Sequence, residues 1–253
     1  MMEPILKVNH LKKVFHQRGK RDVLAVENIS FSLQPGEILG IVGESGSGKS
    51  TVAKLITRLV DPTEGEIILD GQDITHLKGT ALKDAYGKLQ MVFQNPVGSF
   101  DPRRTLGDGI GESLRNKGMS KAEIRKKTAA LLEQCGLDAS YMDRYPHQVS
   151  GGQCQRAAIA RALAVDPRVL ICDEATSALD VTVQKRVIQL LQTLKENKNL
   201  SYVFICHNLA LVQEFCDRVL VMNDGKVVEE GIPDEVIWNP KEEYTKMLVD
   251  SVF

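Results

Sequence analysis

Residues 1–35 alternate apolar and polar positions, with Leu6 and Val8 and then Ile29, Phe31 and Leu33 on the apolar side, and predict strands of a small antiparallel sheet. Pro35-Gly36 makes a turn, and Glu37-Ile38-Leu39-Gly40-Ile41-Val42 predicts a short buried strand. After a glycine-rich segment, Val52, Leu55, Ile56 and Leu59 recur at helical spacing and predict a helix over 50–60, stopped by Asp61-Pro62. Residues 65–70 predict another strand, with a turn at Asp70-Gly71.

The character changes over 95–164. Turn residues are dense from Asn95 to Gly111 and helical patterns follow, including the capping box Ser120-Lys121-Ala122-Glu123 ahead of Ile124, Leu131, Leu132 and Cys135. Two apolar runs come next, Val169-Leu170-Ile171-Cys172 and Tyr202-Val203-Phe204-Ile205-Cys206, each the length of a strand buried on both faces of a parallel sheet. Between them Val183, Val187, Leu190, Leu191 and Leu194 form one helical face, giving a strand–helix–strand unit. Residues 218–231 predict a hairpin turning at Asn223-Asp224-Gly225.

Composition changes this picture little. With 253 residues, 43% hydrophobic and 26% charged, the chain is an ordinary globular one. A formal net charge of -1 supplies no global attraction to nucleic acid or anionic lipid, and no nucleic-acid partner is expected. No apolar run approaches the roughly 20 residues of a membrane span. The start, Met1-Met2-Glu3-Pro4-Ile5-Leu6-Lys7, lacks a signal-peptide pattern, so a cytosolic protein is expected. Its five cysteines (135, 154, 172, 206 and 216) contain no C-x-x-C pair and are expected as free thiols.

The chemistry begins at Gly43-Glu44-Ser45-Gly46-Ser47-Gly48-Lys49-Ser50-Thr51, which satisfies G-x-x-x-x-G-K-[ST] between a buried strand and a helix. Triphosphate oxygens need several backbone N–H groups aimed at them, and glycines let the main chain approach. The helix N-terminus adds its positive dipole end. Lys49 is placed to reach the β- and γ-phosphates, and Ser50 to ligate Mg²⁺. Downstream, a buried strand ends in Asp173-Glu174. Asp173 suits a direct or second-sphere Mg²⁺ role and Glu174 the base that activates water, although acids at a strand end also serve simply as solvated termini. Ser150-Gly151-Gly152-Gln153 precedes a helix and offers either a second anion site or an ordinary serine cap.

In order and spacing these segments resemble the nucleotide-binding subunits of ATP-binding cassette transporters over essentially the whole chain. Residues 43–51 match that family's Walker A loop, residues 169–174 its Walker B strand, and Val149-Ser150-Gly151-Gly152-Gln153 its signature. Ser177-Ala178-Leu179-Asp180 match its D-loop, Gln94 its Q-loop glutamine, also assigned to the metal, His207 its switch histidine, and Phe15 the aromatic that stacks on adenine. Taken alone, His207 reads as an ordinary strand-end histidine and Phe15 as a core aromatic. The resemblance implies an α/β P-loop NTPase (RecA-like) fold with a mostly parallel sheet. It also implies an N-terminal antiparallel β-subdomain and a helical signature subdomain (95–164) inserted in a catalytic core (1–94 and 165–253). It further implies ATP and Mg²⁺ as cofactors and a head-to-tail dimer holding ATP between one Walker A loop and the other signature, with Asp180 touching the opposite subunit. The partners implied are a second cassette (a paralogue rather than a copy), two membrane permeases and an extracytoplasmic binding protein, which puts the chain at the cytoplasmic face of the membrane.

A finer resemblance lies in Phe93-Gln94-Asn95-Pro96-Val97-Gly98-Ser99-Phe100-Asp101-Pro102-Arg103, Tyr145-Pro146-His147-Gln148 and Tyr244-Thr245-Lys246, which look like the peptide and nickel importer ATPases. Within that group the chain looks like the second of the paired ATPases, without their Cys-rich C-terminal extension. It departs from the family at Cys154, at Val149 in place of Leu, and at Asn208 in place of Asp. Two other readings stand beside this one. A cassette acting on DNA or ribosomes is disfavoured by the short 95–164 insertion and the single cassette. A non-hydrolysing regulatory module is disfavoured by the presence of Glu174 and His207.

Overall fold

The computed structural model describes residues 3–16, 19, 22–177 and 179–251; Met1, Met2 and Ala178 of the segments above lie outside them. Two sheets form among the described residues. The first has the order β2-β1-β4-β5, from β1 (Leu6–Phe15), β2 (Val23–Leu33), β4 (Glu64–Leu69) and β5 (Gln72–Asp73), all antiparallel. Asp70 and Gly71, at φ 51 and 76, supply the left-handed pair that a two-residue hairpin requires. The antiparallel N-terminal sheet is thus where the alternation places it.

The second sheet has the order β10-β9-β3-β8-β7-β6. It comprises β3 (Ile38–Val42), β6 (Leu89–Val92), β7 (Val169–Asp173), β8 (Ser201–Ile205), β9 (Arg218–Asn223) and β10 (Lys226–Gly231). All neighbours are parallel except the β9–β10 hairpin, which turns at Asp224 and Gly225. Every residue of β3, β7 and β8 is buried, which explains why these strands read as unbroken apolar runs.

Their side chains still alternate between two cores. Leu170 and Cys172 of β7 and Tyr202 and Phe204 of β8 join one apolar cluster, formed with α3 (Leu106–Asn116), α4 (Lys121–Gln134), α5 (Gly151–Leu163), α6 (Val181–Lys198) and α7 (Leu209–Phe215). Val169 and Ile171, with Val203 and Ile205, face the opposite cluster, shared with α1 (Lys49–Ile56) and the antiparallel sheet. Because five strands run parallel, β3, β6, β7 and β8 deliver their carboxyl ends to one edge, where open α/β sheets place their ligands.

One helix boundary differs from expectation. α1 ends at Ile56 rather than at Asp61-Pro62, and Leu59 is 52% exposed instead of lying on the apolar face. Arg58 takes φ 56, and its buried guanidinium donates to Ile74 O at 2.9 Å, to Thr75 O and to Asp61 Oδ1 at 2.7 Å. Thr57 Oγ1 turns back on Ala53 O at 2.8 Å, a bond that competes with helix continuation. Satisfying a buried cation wins over one more helical turn. The hydrophobic pattern gives no expectation for α2 (Gly79–Lys88), α8 (Pro233–Trp238) or α9 (Glu243–Asp250). Among the described residues no helix is long and apolar enough to cross a membrane. All five cysteines are buried and unpaired.

Candidate active site

The segment 43–48 leaves β3 and wraps back into α1. Two of its glycines are sterically required. A Cβ at Gly43 (φ 147) would lie 2.1 Å from Met222 O, and one at Gly48 (φ 103) 2.5 Å from Ala25 O. Lys49, only 4% exposed, folds its ammonium over the loop and donates to Gly43 O at 2.7 Å, Glu44 O at 2.6 Å and Ser47 Oγ at 3.2 Å. Burial holds its pKa below the ordinary lysine value, against the opposing pull of the Glu174 and Asp173 carboxylates. From outside, Gly225 N donates to Ser47 O at 3.0 Å and Glu44 N to the Tyr244 hydroxyl at 2.9 Å.

The two acids at the end of β7 face this loop. Ser50 Oγ donates to Asp173 Oδ1 at 2.9 Å. Burial, and then the neighbouring Glu174, raise the Asp173 pKa above the usual carboxylate value in spite of that bond. A hydroxyl and a desolvated carboxylate at hydrogen-bond distance are hard oxygen donors of the kind Mg²⁺ takes, and it generally completes its shell with waters and substrate phosphates.

Glu174 is a meeting point. One carboxylate oxygen accepts from Gln94 Nε2 and the other pairs with His207 Nε2, while His207 Nδ1 lies 3.4 Å from Gly43 O. Gln94 follows β6 and His207 follows β8, so adjacent parallel strands bring residues far apart in the chain onto one carboxylate. Glu174 itself has φ 48, a left-handed conformation costing about 1–3 kcal/mol for a non-glycine residue. Glu174 N donates to Ile205 O at 3.0 Å, and Ser177 N and Oγ donate to Glu174 O at 3.1 and 3.0 Å. These bonds hold the strained turn.

The pKa direction at Asp173 yields a stability prediction. The folded chain binds this proton more readily than the unfolded chain does. Stability therefore falls as pH rises through the window between the two pKa values, and the ionised carboxylate is a burden at neutral pH. Asp173→Asn should raise the thermal midpoint of the ligand-free protein at neutral pH. The gain should vanish below the ordinary carboxylate range, where the wild-type residue is protonated in both states. Midpoints measured across pH check both parts.

Ser150 N-caps α5 in a reciprocal capping box: Gln153 N donates to Ser150 Oγ at 3.3 Å, and Ser150 N to Gln153 Oε1 at 2.9 Å. Ser150 and Gly151 are exposed, whereas Gly152 is buried where a Cβ would lie 2.3 Å from Val183 Cγ1 of α6. Ser150 is thus an N-cap open to solvent. Asp180 N-caps α6, accepting from Val183 N at 3.0 Å, and is also exposed. Phe15 ends β1 at 36% exposure with the Lys13 ammonium 5.1 Å from its ring centroid. It pairs with Val23 on β2, the strand whose Ala25 O crowds Gly48.

The sequence departures have local explanations. Cys154 is fully buried in the helical core, and burial pushes its thiol up to about 11. Val149 packs against the same core. Asn208 N-caps α7 by accepting from Leu211 N at 3.1 Å, the same bond an aspartate makes.

Contacts of three residues, Tyr141, Arg161 and Tyr244, are not foreseen from the sequence, although Tyr244 is among the residues that carry the finer resemblance. Gln153 Nε2 donates to the Tyr141 hydroxyl at 2.8 Å. Arg161, near the end of α5, donates to Ser99 O and, at 3.1 Å, to Ser99 Oγ, with its guanidinium 4.4 Å from the Phe100 ring centroid. The third is Tyr244. An arginine at an apolar helix position was the one available hint for Arg161; the two tyrosines gave none for these contacts.

A glycine-rich turn from strand to helix, with paired acids on a nearby strand end, defines a P-loop nucleotide-binding protein. Residues 26–177 match the family model described as "ABC transporter", and the chain belongs to that family and binds ATP. It is 46% identical over 258 residues to the oligopeptide transport ATP-binding protein AppF of Bacillus subtilis (strain 168), covering 99% of this chain and 78% of that protein. It is also 46% identical over 257 residues to the glutathione import ATP-binding protein GsiA of Salmonella paratyphi A (strain ATCC 9150 / SARB42). That match covers 99% of this chain but spans only 41% of the relative. Among solved structures, the ATP-binding cassette MJ0796, a dimer in a post-hydrolysis state bound to ADP and Pi, superposes with a TM-score of 0.83 at 32% identity. It covers 90% of this chain and 98% of that one.

Proposed function

We propose that the chain hydrolyses ATP to drive an importer of peptides or of nickel or metal-chelate cargo, working as one half of a head-to-tail cassette dimer. The observation carrying this reading is the buried Glu174 carboxylate, gripped by Gln94 and His207 beside the phosphate loop. Residues 43–51 cradle the triphosphate and Lys49 neutralises its β- and γ-oxygens. Phe15 stacks on adenine, Glu174 takes the proton of the attacking water, and His207 contacts the γ-phosphate. Ser50, Asp173 and Gln94 hold Mg²⁺, which when bound neutralises charge developing on the phosphates. Ser150, Gly151, Gly152 and Gln153, open to solvent at the start of α5, contact the nucleotide of the opposite cassette, and Asp180 meets that subunit. Residues 95–164 act as the helical signature subdomain, set in a catalytic core of 1–94 and 165–253.

Peptide cargo is favoured by the relatives named for oligopeptide and glutathione transport. The other cassette is a paralogue, and both sit on two permeases at the cytoplasmic face of the membrane, served by an extracytoplasmic binding protein. In the complex reconstituted with its permeases and binding protein, a peptide-loaded binding protein should stimulate Mg²⁺-dependent ATP hydrolysis several-fold. A rate unchanged by the binding protein with any peptide or chelate overturns the importer reading.

A further inference from the structure

Resting on that reading of the nucleotide site, we infer that Tyr244 is a positioning residue for the phosphate loop, by which the C-terminal helix α9 sets the affinity for ATP. The loop tip Glu44-Ser45-Gly46 is exposed and has little packing to define it. Both backbone polar groups of its first residue are tied. Glu44 O accepts from Ser47 N at 3.2 Å and from the Lys49 ammonium at 2.6 Å, while Glu44 N donates to the Tyr244 hydroxyl at 2.9 Å.

These ties respond differently to a triphosphate. Phosphate oxygens compete for the Lys49 ammonium, so its grip on Gly43 O and Glu44 O weakens as the ligand arrives. The Tyr244 bond involves no group of Lys49, so competition for the ammonium leaves it in place. It therefore holds the tip in the shape that offers its remaining N–H groups, and less ordering is left for the nucleotide to impose.

α9 is itself anchored to the element that braces the other end of the loop. Glu229 of β10 is buried and accepts from Lys241 N at 3.0 Å and Glu242 N at 3.2 Å, which fixes the start of α9. The β9–β10 hairpin donates Gly225 N to Ser47 O at 3.0 Å. The hairpin and helix together clasp the loop at Ser47 and at Glu44. The Tyr244 ring is half-buried against the helical core, so its hydroxyl is held rather than free to swing.

The test uses Tyr244→Phe, which keeps the ring and removes only the acceptor. Titration with a fluorescent ATP analogue should show affinity weakened about 2- to 10-fold, the worth of one hydrogen bond. Turnover at saturating ATP should match wild type while the affinity falls, a split that a merely structural role does not give. Glu229→Gln, which loosens α9 without touching the loop, should weaken ATP binding in the wild-type background and add nothing to Tyr244→Phe. Wild-type affinity in Tyr244→Phe overturns the inference, and full additivity of the two changes overturns the route through α9. A wild-type chain that fails to bind ATP at all defeats the underlying reading instead, which separates the two failures.

Discussion

Replacing Glu174 with Gln should leave ATP binding intact and slow hydrolysis by roughly 10²–10⁴-fold, the usual worth of a positioned general base. The substitution is nearly isosteric. Gln94 Nε2 still finds a carbonyl oxygen, and the strained turn at φ 48 is held by backbone and Ser177 bonds that the new amide does not touch. What disappears is the group able to take a proton from water. Bound ATP should therefore accumulate unhydrolysed, and single-turnover assays with labelled ATP distinguish this from weak binding. Turnover near wild type in the variant sinks the assignment of Glu174.

Lys49→Ala should act at the other end of the cycle, weakening ATP binding by about 10²-fold, the scale of a lost charge-assisted contact. The ammonium is already desolvated and held by three loop acceptors, so the fold has met most of the cost of placing a cation there before ligand arrives. Ligand-induced stabilisation gives a clean readout. At a concentration 100 times the wild-type Kd, ATP stabilises the wild type by about 2.7 kcal/mol but such a variant by only about 0.4 kcal/mol. An unchanged thermal shift counts against the phosphate-loop reading.

Much of this was legible in the chain because its strongest signals are physical necessities. A strand buried on both faces has to be apolar throughout, so 169–172 and 202–206 announced themselves. A loop crowded by Met222 O and Ala25 O tolerates little besides glycine, so 43–48 did as well. Asn223-Asp224-Gly225 marked its hairpin because few other residues accept both positive φ angles. The losses came where a tertiary partner overrides a local pattern. Leu59 has ideal helical spacing, but Arg58 finds Ile74 O, Thr75 O and Asp61 only if the helix stops first. The left-handed backbone of Glu174 left no local mark, since it is imposed by Ile205 and Ser177. Tyr244 meets Glu44 across 200 positions of sequence, which no periodicity encodes.

Helix α5 has a mechanical consequence. Its 13 residues make a rod of about 20 Å at 1.5 Å per residue. One end is the capped, exposed Ser150; near the other, Arg161 clamps Ser99 and Phe100 in the segment that follows Gln94. A close-packed rod gripped this way tilts as a piece rather than bending. A small shift imposed on Ser150 would therefore be carried as leverage to the segment beyond Gln94, and mutations in the middle of α5, away from residues 151–153, would change its stiffness first.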